Sequence, residues 1–247
     1  MSDVHFTFME PKQKPGHGIS LKEAWQVQLQ KLLSKQDQTR FSIVEGTLDM
    51  LEPPHSLFDC VVSPANSYGI MDGGFDYYLS EALSPQGDIM ALTRCAQAAI
   101  KERYYGLAPP SSCTLVSLPP LLRRNSRFPR CRVLAICPTM RYPVDVHWNK
   151  DLVYNTMWSL LAEVERWNER AARGDGERID KVAMTGLATG VGGIDKEVCA
   201  RQMVLAVKHF LDVRSEEGRK RWAQRDFPGW NDVLPMAQEV IDENDDV

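Results

Sequence analysis

Apolar residues recur along this chain with two different periods. Leu21, Ala24, Trp25, Leu29, Leu32 and Leu33 return at helical intervals and share one face, the pattern of an amphipathic helix docked on a core. Ser20 followed by Glu23 is a capping box, in which each side chain can satisfy a backbone N–H at the other residue, so the helix is expected to begin there. The same spacing predicts helices over residues 73–83, from 88 through Ile89, Leu92, Ala96, Ala99 and Ile100, over 149–172 and over 196–213. Short apolar runs bounded by turn residues predict strands at 40–45, 58–63, 113–118, 132–137 and Lys181–Met184.

Strands interleaved with helices of this length imply an α/β sheet with helices on both faces. The strand pair 113–118 and 132–137 has no long helix between its members, so the sheet is expected to be mixed and not purely parallel. Residues 1–19, with Pro11, Pro15, Gly16 and Gly18, read as a flexible lead-in to a domain spanning 20–213. Residues 214–247 read as an extension. It holds a charged stretch, the turn-like Phe227-Pro228-Gly229-Trp230, a short helix at 234–241 and an acidic end expected to fray.

Charge narrows the partners. There are 29 Lys and Arg against 33 Asp and Glu, a net charge of −4, so no general basic field exists and nucleic acid is an unlikely partner. An anionic ligand would need a local site. No stretch approaches the roughly 18 to 20 apolar residues of a membrane span, and the N-terminus lacks the apolar run of a signal peptide, so a cytoplasmic or nuclear location is expected. The six cysteines are scattered without a C-x-x-C pair and read as free core thiols, and a zinc site is not expected. Arg123, Arg124, Arg127, Arg130 and Arg132 cluster between two predicted strands, as a solvated loop or as an anion- or partner-facing patch.

Candidate chemistry lies in two glycine-rich turns, each after a short apolar strand and before a helix. The first runs from Ser63 through Asn66 to Asp72-Gly73-Gly74-Phe75-Asp76, the second from Thr185 to Asp195. Ligands of open α/β sheets settle at the carboxyl ends of strands, where glycines let N–H groups approach a phosphate. Neither turn ends in the Lys-Ser/Thr of a P-loop, and Asp195 stands where a dinucleotide fingerprint needs Gly or Ala. Taken singly, either turn could equally be steric relief at a strand-to-helix junction.

Together the turns resemble those of the macrodomain family of ADP-ribose-binding modules. The family's Asn-Ala-Ala-Asn and Gly-Gly-Gly-Val-Asp appear as Ser63-Pro64-Ala65-Asn66 and Asp72-Gly73-Gly74-Phe75-Asp76. Its Thr-Gly-x-x-Gly loop appears as Thr189-Gly190-Val191-Gly192-Gly193. The likeness spans roughly 40–213 and is nearest the divergent fungal branch. It implies a three-layer α/β/α fold with a mixed central sheet, and a ligand held without metal or redox cofactor. By this resemblance Gly73, Gly74 and Phe75 grip one side of the diphosphate, and Thr189, Gly190, Val191, Gly192, Gly193 and Ile194 the other. Asn66 would bond the distal ribose, and Asp76 would orient that ribose or accept a proton from water. A carboxylate in the first turn of a helix is also favourable without any ligand.

The chain departs from the family at several positions. Thr47 stands where the family has the adenine-binding Asp, Asp72 replaces a glycine, and Ile194 replaces an aromatic. The family's last strand with its adenine-stacking aromatic is not evident, and Phe227 or Trp230 is a candidate substitute. Tyr68, Tyr142, His147 and Trp148 are loop residues that could border the distal ribose. The expected function is binding of ADP-ribose, free or as a mono-ADP-ribosyl group on a protein, by a monomer. The alternatives are an ADP-ribose-1″-phosphate phosphatase or mono-ADP-ribosyl hydrolase using the same site, and an interaction domain that has lost its ligand.

Overall fold

The computed structural model describes residues 4–13, 18–223 and 229–245. Six strands form one sheet: β1 (His5–Glu10), β2 (Phe41–Glu45), β3 (Cys60–Ser63), β4 (Thr114–Ser117), β5 (Val133–Ile136) and β6 (Lys181–Met184). Their order across the sheet is β2-β1-β6-β3-β5-β4. The first five run parallel, and β4 alone is antiparallel, paired to β5 through Thr114–Ile136 and Ser117–Val133. The mixed sheet follows from chain length. Parallel neighbours need a crossover helix, and between β4 and β5 there is only the single turn α5 (Pro120–Arg123).

Helices cover both faces. The elements are α1 (Leu21–Leu32), α2 (Lys35–Gln38), α3 (Gly74–Leu83), α4 (Ala91–Tyr104), α6 (Leu152–Ala172), α7 (Lys196–Arg214), α8 (Glu216–Ala223) and α9 (Trp230–Asp245). Alternation along the strands sorts side chains between two cores. Phe6, Phe8, Val62, Ala135, Val182 and Met184 pack with α1, α6 and α7. Met9, Val61, Leu134, Ile136 and Ala183 pack with α3 and α4 on the other face. This is the three-layer α/β/α arrangement.

The expectation of a flexible segment over residues 1–19 is overturned by β1. This strand lies between β2 and β6, and its Phe8 ring sits 4.8 Å from Trp25 and 5.4 Å from Phe41. Both faces are buried, and the alternation of His5-Phe6-Thr7-Phe8 is short, breaks at Met9 and runs into a Pro- and Gly-containing stretch, which hid the strand. Glu10 has a task of its own. Its carboxylate accepts the N–H groups of Leu21 (3.0 Å) and Lys22 (2.8 Å), while Ser20 and Glu23 complete the capping box, so α1 begins against the end of β1.

The C-terminal helix α9 is longer than the 234–241 expected and rests on α7. Glu239 accepts from Lys208 and meets His209 Nε2 at 3.0 Å, and the hydrogen bonds hold its carboxyl below the usual range against the opposing effect of burial. Phe227 lies outside the described residues. No described helix is long and apolar enough to cross a membrane. Cys60, Cys113, Cys131, Cys137 and Cys199 are buried free thiols, and burial pushes Cys131 up to about 12.

Two members of the arginine cluster, Arg130 and Arg132, are anchored on Asp59, a fully buried carboxylate just before β3. Asp59 Oδ1 accepts from Arg130 (3.0 Å) and Arg132 (2.7 Å), and Oδ2 accepts the N–H groups of Asp180 and Lys181, both at 2.9 Å. One side chain thereby ties β3, β6 and the segment entering β5. Replacing Asp59 by Ala strands these donors, and the expected loss is about 3–5 kcal/mol of unfolding free energy, measured by urea denaturation.

Candidate functional site

Five parallel strands share one carboxyl edge, and a cleft of about 410 Å³ lies along it. Sheet order sets its layout. Met9 near the end of β1 and Pro11 after it, with Gly46, Thr47 and Leu48 after β2, line one end. Pro64 and Asn66 after β3, with Thr139, Met140 and Pro143 after β5, line the other. The two glycine turns lie between them: Asp72, Gly73, Gly74, Phe75 and Asp76 on one wall, and Thr185, Gly186, Ala188, Thr189, Gly190, Val191 and Gly192 on the opposite wall. Two other surface depressions, of about 470 and 510 Å³, are larger, but neither includes a glycine turn.

Both walls present unpaired backbone donors. Gly73 caps α3 without a side chain, and among the described residues the N–H groups of Gly74, Phe75 and Asp76 find no protein acceptor. They are the orphan donors of a helix N-terminus and carry its partial positive charge. Opposite them, the N–H groups of Gly190, Val191 and Gly192 likewise find no protein acceptor among the described residues. The two helices that follow the turns differ. Asp195 accepts from Glu197 and Val198 and so closes the start of α7, which leaves the second wall to work through its loop alone.

That loop is held tightly. A Cβ built on Gly192 would lie 2.6 Å from Ala188 O, so only glycine fits there. The Gly192 carbonyl accepts from Val146 N at 2.9 Å, and Ile194 N donates to Ala188 O at 3.1 Å. Gly193 and Ile194, both expected on the ligand, are absent from the cleft lining. Gly193, with φ of +68°, backs onto Asp145, and Ile194 is buried in the core beneath the loop. After Gly192 the chain leaves the cleft: Gly193 stays exposed beside Asp145, and Ile194 is buried.

Asn66 lies on the cleft, but its carboxamide mostly closes its own turn. Oδ1 accepts from Tyr68 N (3.1 Å) and Ile70 N (3.3 Å), and Nδ2 donates to Ile70 O (2.7 Å). Within this turn one amide hydrogen is left to reach a ligand, fewer contacts than the resemblance implied. Thr47 lines the cleft and donates its hydroxyl hydrogen to Asp49, which leaves its oxygen free only as an acceptor. Arg127 braces that turn by donating to Asp49 O at 2.6 Å.

Asp76 is 6% exposed, beneath the first turn of α3. Its Oδ1 accepts from Ser63 Oγ at 2.6 Å, which couples the helix to the end of β3. Burial raises its pKa to about 7; the Ser63 bond opposes this rise and the neighbouring Asp72 adds to it. Asp72 is exposed and borders the cleft, so two carboxyls flank one wall. Among the described residues no group of three or more His, Cys, Asp or Glu side chains is placed to hold a metal ion.

Sequence patterns did not single out Met9, Tyr78, Thr139, Met140 or Pro143 as cleft residues. Their shared signal is position near the end of a parallel strand, after it, or one turn into the helix that follows. Trp230 stands on α9, outside the cleft lining, and Tyr68, Tyr142, His147 and Trp148 lie on neighbouring loops without lining it.

The raised pKa of Asp76 has a consequence for stability. Between about pH 4 and 7 the folded state keeps a proton that the unfolded chain releases, so Asp76's contribution is complete below pH 4 and is lost as pH rises through 7. Asp76→Asn is expected to gain stability relative to the parent on going from pH 5 to pH 8, by at most about 3 kcal/mol. Urea unfolding of both proteins at the two pH values measures it.

Comparison with known proteins places the chain. Solved structures that it resembles include the Oceanobacillus iheyensis macrodomain with MES bound, at 14% identity and a TM-score of 0.46, covering 76% of this chain and 89% of that one. The same macrodomain with ADP gives 14%, 0.46, 76% and 88%. A mutant of it with ADPR gives 15%, 0.45, 68% and 88%. No curated protein matches the chain. A family model described as a macro-like domain matches residues 16–217, most of the length, and the chain belongs to that macro-like domain family.

Proposed function

We propose that the protein binds ADP-ribose in this cleft, as the free molecule or as the terminal mono-ADP-ribosyl group of a modified protein. The observation that carries the proposal is the facing of two sets of unpaired N–H groups, one at the start of α3 and one in the 190–192 loop, across a single cleft. A diphosphate satisfies both sets at once without a metal. The adenosine half takes the end above β1 and β2, where Thr47 offers an acceptor to an exocyclic amine and Met9 and Leu48 offer apolar contact. The distal ribose takes the end beside Asn66 and Asp76. Asp76 is tolerated next to a diphosphate because its pKa near 7 lets it hold a proton at neutral pH.

Catalysis at the same site is the second reading, and Asp76 favours it. A carboxyl that titrates near neutrality and borders the cleft can accept a proton from water. Phosphate release from ADP-ribose-1″-phosphate, or removal of ADP-ribose from a modified protein, would then be lost in Asp76→Ala. Binding with no turnover in the parent protein decides against this reading.

Gly73→Val separates the fold from the ligand. A Cβ at Gly73 meets nothing within 4 Å, and its φ of −148° suits any residue, so the variant is expected to keep the parent's melting midpoint. Its side chain occupies the diphosphate wall, and the expected result is at least a tenfold weaker Kd for ADP-ribose, a loss of about 1.4 kcal/mol, by titration calorimetry. The parent protein should melt higher with ADP-ribose present. A parent that shows neither heat nor a raised midpoint overturns the proposal.

A further inference from the structure

The mouth of the cleft above β3 and β5 carries exposed apolar side chains, of which Ile70 and Val191 stand on its lining and Tyr68, Tyr142, Val144 and Trp148 stand outside it. Tyr68 and Ile70 come from the turn after β3, Tyr142, Val144 and Trp148 from the segment after β5, and Val191 from the second glycine loop. Tyr142, Val191 and Trp148 are 62%, 63% and 70% exposed. These loops form one continuous wall. Asn66 pairs with Met140 in a parallel bridge, Ser67 N donates to Met140 O at 2.8 Å, and Val146 N donates to Gly192 O at 2.9 Å. The apolar groups are therefore held by the backbone in a fixed arrangement around one opening.

Large side chains kept in water beside a binding cleft mark a contact surface, and aromatic residues on ordered loops lose little freedom when covered. We infer that this rim docks the polypeptide that carries the ADP-ribosyl group, through apolar residues adjoining the modified side chain. The inference rests on the ADP-ribose reading and names the partner of that same site. Sheet order supports it. With the adenosine half at the β1–β2 end, the distal ribose, where a protein would be attached, emerges beside the bridged Asn66 and Met140, next to this rim. Aromatic loops can also stack nucleobases, but a nucleic acid needs a basic track. Here Arg141 and Lys150 are offset by Asp72 and Asp145, so an apolar polypeptide segment fits the rim better.

The test uses the full chain and three probes. They are free ADP-ribose and two peptides of equal length carrying one mono-ADP-ribosylated serine, flanked by leucines in one and by aspartates in the other. The parent is expected to bind the leucine-flanked peptide about tenfold more tightly than free ADP-ribose or the aspartate-flanked peptide. In Tyr142→Ala/Trp148→Ala, at positions outside the cleft lining, that preference is expected to collapse to within twofold while the Kd for free ADP-ribose stays within twofold of the parent. Tyr68→Ser provides an independent variant, and unliganded melting midpoints show that each is folded. Equal affinity of the parent for all three probes overturns the rim. So does a preference that survives both variants, or a parallel loss of free ADP-ribose binding, which would assign the rim to the nucleotide itself. Failure of the parent to bind free ADP-ribose overturns the underlying function and the rim with it.

Discussion

Unpaired backbone N–H groups are the feature around which the carboxyl edge of this sheet is organised. A buried donor without a partner is costly, so an edge that presents two opposed sets is stable only with water or an anion against it. At several other helices a side chain meets such groups; α4 and α6 lack an N-cap side chain on their first amides, but Ser84 accepts from Leu92 N and Gln202 from Tyr154 N. Ser20 and Glu10 cap α1 and Asp195 caps α7, whereas α3 starts at Gly73 with no side chain over its amides. The contrast within one molecule is what makes the open N-terminus of α3 informative.

The facing walls stay in register because the elements behind them are cross-tied by buried polar groups. Asp59 holds β3, β6 and the entry to β5 at the edge of the sheet opposite the cleft. Ser63 and Asp76 tie the end of β3 to α3, and Glu10 ties β1 to α1. Each tie is a carboxyl group met by donors from distant parts of the sequence, which is how a buried charge or acid becomes tolerable and directional. The 190–192 loop depends on packing instead, since its turn admits no side chain at Gly192.

Two acidic residues give the cleft its charge character. Asp72 borders the site, and it adds to the burial effect that already raises Asp76. The start of a helix favours negative charge, yet Asp76 is buried deeply enough that desolvation outweighs both that field and the Ser63 hydrogen bond. The charge state of the site therefore depends on depth, which no local sequence feature reports.

The amino-acid sequence by itself determined most elements and both glycine turns, because helical periodicity, caps such as Ser20 with Glu23, and Gly-rich junctions are local properties. It also showed that the sheet is mixed, through the short connection between β4 and β5. It concealed β1, since the alternation of His5-Phe6-Thr7-Phe8 is short, breaks at Met9 and runs into a Pro- and Gly-containing stretch. Only the tertiary structure decided that residues 73–76 and 189–192 face one cleft, that Gly193 and Ile194 turn away from it, and that the Asn66 amide is largely engaged in its own turn. Those outcomes follow from strand order and from hydrogen bonds between residues far apart in the chain, and such long-range pairing leaves no periodic trace in the sequence.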